Sequence, residues 1–223
     1  MSKIYKITFA TLVGILLTAC SMVSQQPAGA SVSVDNDTEL TLPLPSELEF
    51  SFTASQLISA TWQDETQQLP VQVEVTPDKV VLAGFSSWGT RILSLQYQDQ
   101  VIDTQILSGL GATLPQPEQV LFNLMLTLWP VEAWTQPMQN IGWHIVDSNS
   151  TRTVFDSSQR AIIRIEYQAK TNEPKLSGNI VFKHLVQGYT ITRQTLNSTI
   201  TDNPSKSGTL CLFTSKIVVS TRR

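Results

Sequence analysis

Apolar residues recur at every second position through most of the chain, and the period changes only once. Leu69, Val71, Val73 and Val75 share one phase while Gln72, Glu74 and Thr76 take the other, the pattern of a strand buried on one face. Thr76-Pro77-Asp78-Lys79 predicts a turn, with proline where its fixed φ is useful, and Val80 to Phe85 returns as the second arm of a hairpin. Arg91 to Tyr97 sets Leu93, Leu95 and Tyr97 inward, Gln98-Asp99-Gln100 turns, and Val101 to Leu107 comes back. Trp143 to Asp147, Thr153 to Phe155, Ala161 to Tyr167, Gly178 to Val186 and Tyr189 to Leu196 read as strands in the same way.

The interruption falls at residues 118–129, EQVLFNLMLTLW, which are apolar almost all round. Pro115 and Pro117 precede this run and Pro130 stops it, so it predicts a helix, and one with so little polar face has to be covered on more than one side. Pro130 opens a second short helix through Trp134, which Pro137 is expected to end. Strands, then helices, then strands define an α+β domain over residues 41–196, with a helical insertion near 116–138. The expected architecture is one antiparallel sheet with the helix lying over its face. Leu93, Leu95, Ile163, Ile165 and Phe182 then point toward that helix, since each occupies the apolar phase of its strand.

The ends are different. Residues 20–40 begin SMVSQQPAGASVSVDND after Cys20, small and polar without a period, and are expected to be a flexible tether. Residues 197–223 form an extension in which Pro204 to Gly208 is a turn and Leu210 to Val219 a candidate strand, added to an edge, hanging free, or produced by an altered reading frame. Left uncovered, a β-prone apolar segment whose only internal charge is Lys216 is an aggregation hazard.

Residues 1–19 have no place in a fold. Lys3 and Lys6 make a positive start, Ile7 to Leu17 an apolar run, and Leu17-Thr18-Ala19-Cys20 closes it. The run is too short to cross a membrane, which takes about 20 apolar residues. It resembles the bacterial lipoprotein signal, in which cleavage falls just before the cysteine, the sulfur is diacylated and the new amino terminus takes a third acyl chain, commonly palmitate. The resemblance makes Cys20 a lipid anchor. At about 0.8 kcal/mol per buried methylene, one chain binds marginally, whereas three hold a protein to a bilayer permanently. Ser21 stands where such lipoproteins use Asp to remain at the inner membrane, which implies an outer-membrane protein facing the periplasm.

Losing residues 1–19 removes Lys3, Lys6 and no acid, so the net charge of −3 becomes −5, with no basic stripe for nucleic acid. Acylation of Cys20 leaves Cys211 as the other thiol, so no intramolecular disulfide forms. Catalysis finds little support. His144 and His184 are the two histidines, and His184, in phase with Ile180 and Phe182, is expected to be a partly buried, hydrogen-bonded side chain. Gly84-Phe85-Ser86-Ser87-Trp88-Gly89 has the spacing G-x-S-x-x-G and is followed by a strand, so it reads as a turn and not as a nucleophile elbow. Two isolated histidines with Asp147 and Asp156 have no zinc spacing, and there is no Walker or dinucleotide fingerprint. The expectation is no enzyme, no metal and no cofactor.

The aromatic residues suggest binding. Phe85, Trp88, Phe122, Trp129, Trp134 and Trp143 gather around the strand-to-helix region; each taken singly reads as core, while together they suit the wall of a cavity under a lid. Leu93, Leu95, Leu124, Met125, Leu128, Ile163 and Ile165 complete the candidate lining, Met125 as adaptable filling. An apolar wall needs no directional partner, because burial supplies about 25 cal/mol per Å².

VVLAGFSSWGTRILSLQY at 80–97, PEQVLFNLMLTLWPVEAW at 117–134, IRIEYQA at 163–169 and GYTITRQTL at 188–196 resemble a family of Gram-negative lipoproteins that carry a domain of unknown function and are often encoded beside aryl polyene pigment genes. Their pattern is similar to the lipoprotein receptor LolB and its periplasmic partner LolA. That resemblance implies a strongly curved antiparallel sheet, an incomplete barrel, whose concave apolar face is capped by a helical lid and receives acyl chains. It further implies a LolA-like periplasmic carrier as partner and an amphipathic lipid as ligand, aryl polyene lipid or lipoprotein acyl chains. The alternative is a structural lipoprotein whose closed core binds nothing and whose surface docks an envelope assembly.

Overall fold

A computed structural model of the protein describes residues 29–202 apart from 36–37, 111–115 and 171–172. Ten strands form one antiparallel sheet: β3 (Phe50–Trp62), β4 (Glu65–Val75), β5 (Lys79–Phe85), β6 (Arg91–Gln98), β7 (Val101–Ile106), β8 (His144–Ser148), β9 (Thr151–Phe155), β10 (Ala161–Tyr167), β11 (Ile180–His184) and β12 (Tyr189–Asp202). Their spatial order is β7-β6-β5-β4-β3-β12-β11-β10-β9-β8. Every neighbour is sequential except β3 and β12, which join two meanders at the middle of an open sheet with β7 and β8 at its edges. Between β7 and β8 come α1 (Pro117–Leu128) and α2 (Val131–Asn140).

Register carries the sequence alternation across the whole sheet. Phe52, Val75, Val80 and Tyr97 are cross-strand partners in one row, and Ala54, Val73, Leu82 and Leu95 in the next. On the other half, Ile191, Phe182, Ile165 and Arg152 align. These rows lie on one face, which is covered, and the alternate residues face outward. Leu93, Leu95, Ile163, Ile165 and Phe182 are all buried on this covered face, as their phase requires.

Two pieces cover it. The helical pair lies over β9 and β10, where Arg152 Nη1 donates to the carbonyls of Leu126 and Trp129, each at 2.7 Å, and the Tyr167 hydroxyl donates to the Thr127 carbonyl at 2.8 Å. These bonds satisfy carbonyls that the end of a helix leaves without partners, and they put a cation at its negative pole. The second piece is N-terminal. Here β1 (Ser31–Asp35) pairs with β2 (Thr38–Thr41), and a 3₁₀ turn follows at Pro45–Glu47. Val32, Leu40, Leu42 and Leu48 from this segment are buried, the Tyr97 hydroxyl donates to the Pro43 carbonyl at 3.0 Å, and Trp129 Nε1 donates to the Leu44 carbonyl at 2.9 Å.

Several expectations change. Residues 31–35 and 38–41 are paired and packed and not a tether, because the alternation Ser-Val-Ser-Val and Glu-Leu-Thr-Leu gives them one apolar face to bury. β12 runs on to Asp202 against Phe50, so 197–202 belong to the sheet and not to an extension. Pro137 lies inside α2, which continues to Asn140; proline removes one hydrogen bond without stopping this ten-residue helix. Cys20, Cys211 and the segments 1–28 and 203–223 lie outside the described residues.

Candidate functional site

The candidate site is the interior between the covered face and its two covers. Of the residues proposed to line a cavity, Leu93, Leu95, Phe122, Leu124, Met125, Leu128, Trp129, Trp134, Trp143, Ile163 and Ile165 are buried together in one core, with Phe122 and Trp134 in edge-to-face contact at 5.9 Å. The other two stand apart. Trp88 is 93% exposed in the turn between β5 and β6, where Gly89 takes φ +80° and chain reversal aims the indole at solvent. Phe85 occupies the outward phase of β5 and is half-buried. Neither belongs to the interior.

Two arginines also lie inside this interior. Arg152, 1% exposed, has a partner for each nitrogen: Nε and Nη2 hold the two Asp147 oxygens at 2.7 and 2.8 Å, and Nη1 holds the end of α1. Burial opposes its charge, but the hydrogen bonds to Asp147, together with the charges of Tyr167, Asp147 and Glu132, outweigh that and raise the guanidinium above its ordinary range. Burial likewise pushes Asp147 up, and the hydrogen bonds and charges of Arg152, then Lys175, pull it below the usual carboxylate range.

Arg193 is the opposite case. It sits on the covered face of β12 in a row with Leu69, Ile58, Ile180 and Tyr167, and is 6% exposed. Its Nε and Nη1 have no hydrogen-bond partner, and it joins no ion pair among the described residues. Desolvation lowers it to about 10, with the Tyr167 phenol the one group opposing that shift. Nearby, Gln56 donates Nε2 to Thr195 Oγ1 at 3.1 Å while its Oε1 has no partner. The Tyr189 hydroxyl makes no hydrogen bond of good geometry, but the side-chain amides of Asn123 and Gln119 on α1 lie beside it and oppose the rise in its pKa that burial causes. Trp134 Nε1 is a further unpartnered buried atom among the described residues. Such groups are rare in folded proteins, since each costs its desolvation without return, and each requires an explanation.

The remaining candidates have local partners. His184 is buried beside Tyr189, ring to ring at 5.1 Å, and its Nδ1 accepts the Gln187 N–H at 3.1 Å, so it is the hydrogen-bonded histidine expected. His144 stacks on Phe155 at 4.8 Å. Ser86 Oγ accepts the Thr90 N–H within the turn joining β5 to β6. On the opposite face, a hollow of 330 Å³ beside the β12 bulge is lined by Thr53, Ser55, Gln72, Glu74, Val81, Ala83 and Asn197, small or polar groups of which Glu74 is already paired with Lys79 at 3.2 Å.

What the fold and site define among the described residues is an α+β protein with a ten-stranded antiparallel sheet, one face of which is apolar, covered by separate segments and supplied with a buried unpaired cation. The chain belongs to the family described as "Protein of unknown function (DUF3261)", whose model matches residues 53–197. No curated protein matches the chain. Among solved structures it is similar to a LolA superfamily protein from Nitrosomonas europaea, with 11% identity, 74% of this chain and 94% of that one covered, and a TM-score of 0.41. A domain assigned as an outer membrane lipoprotein-sorting protein from Vibrio parahaemolyticus is similar at 6% identity, covering 72% and 87%, with a TM-score of 0.36. A DUF1329 family protein from Desulfovibrio piger is similar at 8% identity, covering 75% and 96%, with a TM-score of 0.35. These likenesses are too distant to carry a ligand across.

Proposed function

We propose that this protein is an outer-membrane-anchored, LolB-like lipoprotein that binds an amphipathic lipid between its sheet and its covers and passes it to or from the membrane. The observation that carries this reading is the covered face itself: a continuous apolar surface closed by two segments outside the sheet, with α1 tied to the strands through its C-terminal carbonyls by Arg152 and Tyr167. Parting that cover from the sheet opens an acyl-chain site without breaking a strand. In this reading the sheet curves around the ligand, the triacylated Cys20 holds the domain at the periplasmic surface of the outer membrane, and a LolA-like carrier delivers the lipid. The transfer is noncovalent, driven by burial of apolar surface. Aryl polyene lipid and lipoprotein acyl chains both have the required apolar length.

The second reading, an interaction lipoprotein that binds nothing, draws on the near-zero exposure of Leu93, Leu95, Trp129 and Trp134. Mass spectrometry of organic extracts separates the two, using protein purified from its native envelope without detergent exchange. A stoichiometric co-purifying lipid supports the carrier; an extract containing only the acyl chains of the anchor supports the closed core.

A further inference from the structure

Two arginines are buried on the covered face, and the contrast between them is informative. Arg152 is paid for in full by Asp147 and two helix carbonyls. Arg193 has two unpartnered nitrogens and no carboxylate, while its neighbours in the row are the apolar Ile58 and Ile180. An uncompensated buried cation is strongly destabilising, and a chain that only needed a filled core would be better served by an apolar side chain of the same volume. With its pKa near 10, the guanidinium is still charged at neutral pH.

Another orphan group shares this face. Gln56 Oε1 lies one diagonal step away on β3, because Arg193 pairs with Ile58 and Gln56 with Thr195. The Tyr189 hydroxyl, four residues further along β12, instead lies beside the amides of Asn123 and Gln119 on α1. A ligand atom satisfying Arg193 therefore lies against the apolar interior of the covered face.

We propose that Arg193 is the headgroup site of this interior: it binds the carboxylate or phosphate of an anionic amphiphile whose hydrocarbon tail lies against the apolar covered face. The proposal rests on the lipid-binding reading and adds to it the sign of the ligand's head. Arg193 supplies charge-assisted N–H bonds, and the ligand supplies the countercharge that the chain lacks.

The test uses the full chain carrying Cys20→Ser, stripped of lipid, and titration calorimetry with dodecanoate, dodecyl phosphate and dodecan-1-ol. Dodecanoate or dodecyl phosphate is expected to bind about tenfold or more tighter than the alcohol, the value of hydrogen bonds to a charged group. Arg193→Met should abolish that preference and leave the alcohol's affinity in place, while Arg193→Lys keeps part of it. Equal binding of acid and alcohol by the wild type, or a preference that survives Arg193→Met, would overturn the headgroup assignment and leave lipid binding standing. The wild-type comparison decides the matter even if the methionine variant does not fold. Binding of none of the three would sink the lipid-binding reading itself. Inorganic phosphate that raises the thermal midpoint as much as dodecyl phosphate would make this a free-anion site and overturn the amphiphile.

Discussion

Replacing Arg152 by Met tests whether α1 is fastened to the sheet in the way the structure shows. The variant loses the 2.7 Å bonds to the Leu126 and Trp129 carbonyls and both contacts to Asp147. Asp147 suffers least, since its side chain is 34% exposed and it keeps Lys175 at 3.3 Å. Two buried carbonyls left without donors cost about 1–3 kcal/mol each, and the apolar methionine recovers part of that, which leaves a net loss of about 3–4 kcal/mol. At about 2–4 °C per kcal/mol for a domain of this size, the melting temperature should drop by about 6–16 °C. Urea titration followed by tryptophan fluorescence measures it, and Trp129, at the end of α1, reports the site directly. Arg152→Lys should recover less than half, because an ammonium cannot span Asp147 and two carbonyls at once. A loss under about 1 kcal/mol for Arg152→Met would refute the fastening argument, since even one unsatisfied buried carbonyl costs that much.

Acid should weaken the fold through Asp147 and Asp156. Asp156 accepts bonds from Ser158 Oγ and N–H and from Arg160 N–H and Nε, which hold it at about 2. Both folded-state pKa values are depressed, so their contribution is present above the ordinary carboxylate pKa of about 4 and is lost as pH falls below it, for Asp156 through about 2; the urea midpoint should follow that course, with a shallower fall in Asp156→Asn, and identical slopes would count against it. Cys20→Ser should leave the protein unacylated and out of the membrane fraction, because a hydroxyl cannot carry the thioether-linked diacylglycerol; acylated Cys20→Ser protein in the outer membrane would defeat the anchor.

The strands were legible because one face of a half-buried sheet imposes period two, as Leu93-Leu95-Tyr97 and Ile163-Ile165-Tyr167 show. The first helix was legible from proline punctuation and an apolar run. The N-terminal hairpin was hidden by its shortness and by the small residues around it, although Val32, Leu40 and Leu42 carry the same alternation. Trp88 misled because sequence reports apolarity and not position: a turn at the end of a hairpin faces water whatever it contains. The buried arginines were passed over because a charged residue on a strand reads as outward. Their phase gave a signal nonetheless, since Arg152 alternates with Val154 and Arg193 with Ile191, both in the inward set. Asp147 stands directly opposite Arg152 across the β8–β9 turn, only five residues away, so that pair was within reach of a hairpin reading; what no pattern in the chain discloses is that Arg152 also meets the end of α1 while Arg193 meets no carboxylate among the described residues, because those arrangements are set by tertiary packing.

The central claim is that the interior between the sheet and its covers admits a lipid tail. Leu95 and Leu124 are both fully buried there, so Leu95→Phe and Leu124→Trp narrow the proposed space from the sheet side and the helix side. A fluorescent fatty-acid probe is titrated into wild type and variants while urea unfolding reports stability. If the interior opens for a ligand, the variants lose probe binding and their stability stays within about 1 kcal/mol of wild type, less than the usual penalty of about 1–3 kcal/mol for overfilling a packed core. Probe binding unchanged from wild type together with a large loss of stability would show a solid interior, and would contradict the account.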